Sequence, residues 1–248
     1  MSNYIFRGQA NAGWPLTPSL NRRLREADPN VTTIDAEEIE IAVLNSFEKS
    51  AKRNFSPEVL ASRTNPAARW SLMQHHGAPT RVLDWTNDLF VAAYFAVESH
   101  WDTDGAIWLV HAKFLNSEIV RRRIPKKFSY EMLRCGQAQP VVQLWIEDQP
   151  HQRVIVQDGL FTFCHQILGE HEKLIEQVCR PEFERGGKDE VFRKVIIPRD
   201  MKPVFLGNLI SNGITGSKLF PGGDGLGRSL SDLARMMANQ KALKRQWQ

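Results

Sequence analysis

A dense set of side chains that could do chemistry lies in one run, Gln74-His75-His76-Gly77-Ala78-Pro79-Thr80-Arg81-Val82-Leu83-Asp84-Trp85-Thr86. A core strand has no use for two imidazoles, a guanidinium, a carboxylate and a carboxamide so close together. A second group, Phe6-Arg7-Gly8-Gln9, stands near the N-terminus. Arg7 offers a planar, permanently charged donor fork for a phosphate or carboxylate. Gly8 lets a ligand approach the backbone closely. Asp84 sits between an apolar run and an apolar helix, where Thr86 and the helix N-terminus would meet an anion or a ligand amide. Gln74, His75, Gly77 and Arg81 form a dense polar set beside it. Together the two groups predict a polar cleft built from distant pieces of one domain.

Each residue also has a structural reading. Arg7 could be a surface cation after a strand, and Asp84 or Thr86 could cap the following helix. Asp84 could pair with Arg7 or Arg81, and His75 and His76 could serve a helix C-terminal dipole. No serine stands in a nucleophile elbow and no paired-histidine motif points to zinc, so no metal is expected. The run Pro221-Gly222-Gly223-Asp224-Gly225-Leu226-Gly227 lacks a phosphate-binding lysine and reads as a turn.

The elements that must position these groups follow from periodicity. Tyr4 to Arg7 reads as a strand closed by Gly8. Asp35 with Glu38 resembles a capping box, followed by Ile39, Val43, Phe47 and Ala51 on one helical face. Ala67–His75 reads as a helix with Trp70, Leu72 and Met73 inward, and Leu89–Glu98 as a buried helix. Strands are expected at Ala106–Val110, Arg153–Val156, Leu160–Phe163 and Lys194–Ile197, the last stopped by Pro198. Pro203 opens a helix lined by Leu206, Leu209 and Ile210 and ended by Gly213. A basic helix closes the chain from about residue 228 to 248.

With 248 residues, 42% of them hydrophobic and 24% charged, the chain can bury a full core. One α+β domain over residues 1–248 is the simplest account. No run approaches the roughly 20 apolar residues of a membrane span, and the start lacks a signal layout. Cys135, Cys164 and Cys179 are not in metal-ligand spacing, which fits a reduced, cytoplasmic setting away from membranes. The net charge of +4 and pI near 9.0 arise from clusters at Arg22/Arg23/Arg25, Arg121/Arg122/Arg123/Lys126/Lys127 and Lys241/Lys244/Arg245. Solvated surface or nucleic-acid contact would account for them, the latter through counterion release.

Several blocks resemble the FRG domain. They are Phe6-Arg7-Gly8-Gln9, the Gln74–Thr86 run with Ala92-Ala93-Tyr94-Phe95-Ala96, Gln157-Asp158-Gly159-Leu160-Phe161-Thr162, and Gly213-Ile214-Thr215 with Leu219-Phe220-Pro221. The layout is also similar to the mono-ADP-ribosyltransferases, which carry an Arg-Gly on a first strand. Their later strand bears a small polar motif before an Ala-x-x-Phe-Ala helix, as Leu83–Thr86 and Ala92–Ala96 do here. Where those enzymes begin a third strand with a catalytic glutamate, this chain has Gln157. Glu170/Glu172 and Glu182/Glu184 show the Glu-x-Glu spacing elsewhere.

That similarity implies a mixed, split β-sheet flanked by helices, with NAD as substrate. Arg7, Asp84, Gln157 and His75 would be catalytic. Arg7, Gly8, Gln9, Arg81, Thr86, Tyr94 and Phe95 would hold the dinucleotide. Arg7 would face the pyrophosphate, Gly8 the nicotinamide amide, and Tyr94 or Phe95 its ring. Asp84 would supply the negative charge that Gln157 cannot. The implied activity is that of an NAD-dependent ADP-ribosyltransferase-like toxin or phage-defence effector. It would modify nucleic acid, RNA favoured, or protein, and a neutralising antitoxin protein would be its partner. A non-catalytic nucleotide- or RNA-binding domain and a metal-independent nuclease using Asp84, His75 and Arg81 are the alternatives.

Overall fold

A computed structural model describes residues 4–55, 65–124, 140–185 and 191–246. The elements in chain order are β1 (Tyr4–Gln9), α1 (Ser19–Ala27), α2 (Thr33–Asn54), α3 (Pro66–His75), β2 (Val82–Thr86), α4 (Leu89–Val97) and β3 (Gly105–His111). Then follow α5 (Ala112–Leu115), α6 (Glu118–Arg123), β4 (Val142–Trp145), α7 (Gln152–Val156), β5 (Gly159–Cys164) and α8 (His171–Glu184). The chain ends with β6 (Phe192–Ile197), a 3₁₀ turn, α9 (Lys202–Ser211), α10 (Gly216–Leu219) and α11 (Gly223–Gln246). Among the described residues no helix is long and apolar enough to cross a membrane.

The strands form one six-stranded sheet in the order β4-β5-β2-β1-β3-β6. Every described pairing is antiparallel, which corrects the mixed sheet expected from sequence. The cause is topological. Helix α4 carries the chain from β2 to β3, two strands that run the same way, but β1 lies between them and pairs with both. No parallel ladder forms. The sheet is nonetheless loose at its centre: β1 and β2 share one register pair, Phe6 with Thr86, against six between β1 and β3.

Alternation along the strands sorts two faces. Ile5, Leu83, Trp85, Trp108 and Leu160 turn to one, where they pack with Ile175 and Cys179 of α8. Phe6, Gly8 and Ile107 turn to the other, under α4, α9 and α10. On that second face Val82, Phe161 and Phe163 meet Trp70 and Met73 of α3 and Leu44 of α2. Two separate helical layers thus cover the two halves of one face, and the seam between them runs over β1 and β2. Close packing there depends on glycine. A Cβ on Gly8 would lie 1.9 Å from the Ala92 carbonyl oxygen, and one on Gly105 would lie 2.2 Å from that of Ala96.

Several local expectations change. The capping box of α2 is Thr32 with Asp35, so Asp35 stands at N3 rather than at the cap. The buried face of α2 holds Ala36, Glu40, Leu44 and Ala51, while Ile39 is exposed. Glu40 is drawn inward by Arg81, whose Nε donates to its Oε1 at 2.7 Å. Residues 153–156 are helical, not a strand. The neighbouring places beside β5 are already filled by β2 and β4. A short apolar run carries too little periodicity to tell the two apart. The expected turn at 221–227 ends at Gly222, φ +102°, and the C-terminal helix already begins at Gly223. Arg121–Arg123 lie on α6, whereas Lys126, Lys127 and Cys135 fall outside the described residues. Cys164 and Cys179 are buried free thiols, pushed up to about 11 and about 12 by burial and so unreactive.

Candidate functional site in the seam of the sheet

Where β1 and β2 part, Arg7 fills the gap. Its Cα belongs to the face of Ile5, yet its Nη1 donates to the main-chain oxygen of Asp84 at 2.7 Å. A side chain thus serves a backbone acceptor that a tighter strand pair would have satisfied. The same Nη1 lies 3.8 Å from Asp84 Oδ2, with the arginine side chain 18% exposed and the aspartate 58%. Burial pulls the guanidinium below its usual pKa and the Asp84 carboxylate pushes it back up. An arginine remains charged under both influences. Its Nε is buried without a hydrogen-bond partner among the described residues.

Asp84 is aimed rather than loose. Gln74 Nε2 donates to its Oδ1 at 2.5 Å, and Thr80 Oγ1 donates to Gln74 Oε1 at 2.6 Å. This relay from the end of α3 holds one carboxylate oxygen and leaves the other toward Arg7. The capping alternative for Asp84 and Thr86 does not hold, because Asp88 caps α4 by accepting from Phe90 N at 2.7 Å. Thr86 has a bracing role. Its Oγ1 donates to the Gln157 carbonyl at 2.7 Å and accepts from Asp88 N at 2.9 Å. Gln157 in turn donates through Nε2 to the Leu219 carbonyl at 2.9 Å.

These groups line a cavity of about 150 Å³ together with Phe6, Gly8, Val91 and Phe95. Residues expected from three distant segments, Arg7, Gly8, Asp84, Thr86, Phe95 and Gln157, therefore share one cleft. A second cavity of about 50 Å³ adjoins it and brings in Ser71, Gln74, His75 and His151. Three expectations are corrected. Gln9 is buried, its Oε1 accepting from Trp108 Nε1 at 2.7 Å and its Nε2 reaching Pro15 O. Arg81 is 1% exposed, paired with Glu40, bonded to His165 O at 2.7 Å and 5.0 Å from the Trp70 ring centroid. Tyr94 turns to the core, where its hydroxyl donates to Asp232 at 2.8 Å and its pKa is raised by burial. Gln9 ends β1, Arg81 precedes β2 and Tyr94 lies on α4, and each has its polar group committed to a partner away from the cleft.

Arg153 was missed. It lines both cavities and lies 4.4 Å from the Phe220 ring centroid. Burial lowers its pKa and Asp84 opposes the shift. A strand assignment hid it, whereas its spacing of four from Gln157 puts both on one side of a helical turn. His151, which precedes α7, is not among the sequence candidates. Glu170 and Glu172 lie at the start of α8, on the opposite face of the sheet, so Asp84 is the carboxylate of this cleft. Among the described residues no cluster of three His, Cys, Asp or Glu side chains could hold a metal ion.

Behind Arg7 lies His171, held down to about 3 by burial first and Arg7 second, against the Gly169 and Thr162 carbonyls. His165 is held down to about 4 by burial and Arg81. Folded histidines with lowered pKa stay neutral while their unfolded forms, at about 6.5, take up protons. Stability is therefore full above about pH 6.5 and falls as the pH drops toward 3–4. In urea titrations at pH 7 and pH 4.5, His171→Phe is expected to shrink the pH difference by about 1–2 kcal/mol. An unchanged difference would show that His171 is not neutral in the fold.

The model of the FRG domain family matches residues 2–105, the segment that supplies Arg7, Gly8, His75, Asp84, Thr86 and Phe95. His151, Arg153 and Gln157 come from the chain beyond it. No curated protein and no solved structure matches the chain.

Proposed function

We propose that this chain transfers ADP-ribose from NAD to a nucleophile on nucleic acid, RNA favoured, or on protein. The observation that carries the reading is the convergence of Arg7, Asp84, Thr86 and Gln157 on one cleft at the loosened centre of the sheet. Breaking the nicotinamide–ribose bond builds positive charge on the ribose. A fixed carboxylate beside it stabilises that charge, and Asp84 is held for this by Gln74. Arg7 and Arg153 supply cations for the pyrophosphate. The Gly8 backbone and the Phe95 ring suit a flat aromatic amide. The setting of a toxin or phage-defence effector restrained by an antitoxin protein belongs to the same proposal.

A second reading, a non-catalytic nucleotide- or RNA-binding domain, is favoured by one observation. Gln157 is neutral and its amide is already engaged by Leu219 O. Incubation with carbonyl-labelled NAD separates the two. Transfer predicts free nicotinamide, and with adenylate-labelled NAD it predicts label on RNA, DNA or protein of a lysate. Saturable binding of NAD or RNA with neither product would leave the binding reading in its place.

A further inference from the structure

The smaller cavity shares Asp84, Trp85, Arg153 and Gln157 with the larger, so the carboxylate is a wall common to both. Its far wall carries two imidazoles from separate segments. His75 ends α3, His151 precedes α7, and their ring centroids are 4.0 Å apart. We infer that this second compartment is the acceptor subsite, that it takes a hydroxyl group, and that the His75–His151 pair receives the hydroxyl proton. The inference rests on the transfer reading above and assigns its acceptor chemistry.

Size divides the roles. The cavity of about 150 Å³ can hold a flat ring, whereas about 50 Å³ has room for a few waters or one small polar head. Proton affinity then selects the head. An imidazole cannot strip an ammonium or a guanidinium, both of which are far weaker acids than imidazolium. It can accept a hydroxyl proton as the oxygen forms its new bond, as in serine–histidine pairs. The step balances without a further reactant. The carbon–nitrogen bond to nicotinamide breaks and its electron pair leaves with the ring, which departs neutral. A hydroxyl lone pair then makes the new carbon–oxygen bond, and the proton passes to imidazole.

Two imidazoles in ring contact offer neighbouring acceptors for such a proton. Among the described residues Asp84 from β2 and Arg153 from α7 line the compartment with them, and Glu147 stands behind Ser71, its Oε2 accepting from Ser71 Oγ at 2.8 Å. His76 follows on the same helix, its ring centroid 4.7 Å from that of His75.

Methanol is a probe small enough for the compartment. The 248-residue chain with labelled NAD and methanol is expected to release nicotinamide and form the methyl riboside, with a rate that rises with pH. His151→Gln and His75→Gln are expected to cut methyl riboside formation at least roughly 10²-fold and to flatten that rise. Added imidazole is expected to restore part of the rate to His151→Ala, which a merely structural histidine would not show. If His75→Gln fails to fold, the half-buried His151 carries the test alone. Variants that keep both the methyl riboside rate and its pH profile would overturn the hydroxyl subsite and leave the transfer reading standing. Wild-type protein that releases no nicotinamide would overturn the transfer reading itself, and the subsite with it.

Discussion

Arg81→Met is expected to lower the free energy of unfolding by about 3–5 kcal/mol, the cost of leaving a buried charge without its partner. Glu40, 5% exposed, would keep a carboxylate under α2 with no guanidinium facing it, and the carbonyl of His165 would lose its donor. The indole of Trp70 would lose the cation stacked on it as well. Replacing both partners, Arg81→Met with Glu40→Leu, is expected to recover most of the loss, because two apolar side chains of similar volume need no desolvated charge. Urea titration of the two single variants and the double variant measures the coupling directly. If Arg81→Met were instead as stable as the parent and only weakened NAD binding, Arg81 would be a ligand group, contrary to its position in the fold.

Asp84→Asn is expected to do the opposite: little to stability, much to activity. The side chain is more than half exposed, and asparagine keeps an oxygen for Gln74 Nε2. The unfolding free energy should stay within about 0.5 kcal/mol of the parent, as for an ordinary surface substitution. On the proposed transfer reading the charge assigned to the ribose disappears, so nicotinamide release should fall by roughly 10²–10³-fold, the usual cost of one preorganised electrostatic contact. The paired readout is thermal unfolding and nicotinamide release on the same preparation. A variant that loses several degrees of melting temperature while its folded fraction keeps full activity would make Asp84 a structural residue and remove the carboxylate from the mechanism. Gln74→Ala offers a graded control. It frees Asp84 without removing the charge, so a smaller loss is expected, seen in the same assay.

The Asp84 segment was legible as a candidate site in the residues alone, whereas the buried Arg81–Glu40 pair was not. The polar segments around Arg7-Gly8 and Asp84–Thr86 stand out as candidate site segments from the residues alone, although each residue also has a structural reading. The same local rules placed the capped helix of residue 33 onward, the buried helix of Leu89–Val97 and the proline-started helix of Lys202–Ser211. They failed at Arg153–Val156. Four residues of mixed polarity fit a strand and a helical turn equally well, and the site residue Arg153 was lost with that choice.

What the sequence determined by itself is the chemistry available: which side chains carry charge, where glycine permits close approach, and which runs must be buried. Local periodicity and composition are enough for that, since each is fixed by a few neighbouring residues. Which of those side chains share a cleft was decided only by the tertiary structure. Arg7 and Arg81 look alike as residues beside an apolar run, yet one bridges a gap between strands and the other is paired beneath α2. The difference lies in partners 77 and 41 positions away along the chain. Such long-range pairings follow from how the strands order and how two helical layers divide one face of the sheet, which no local pattern encodes.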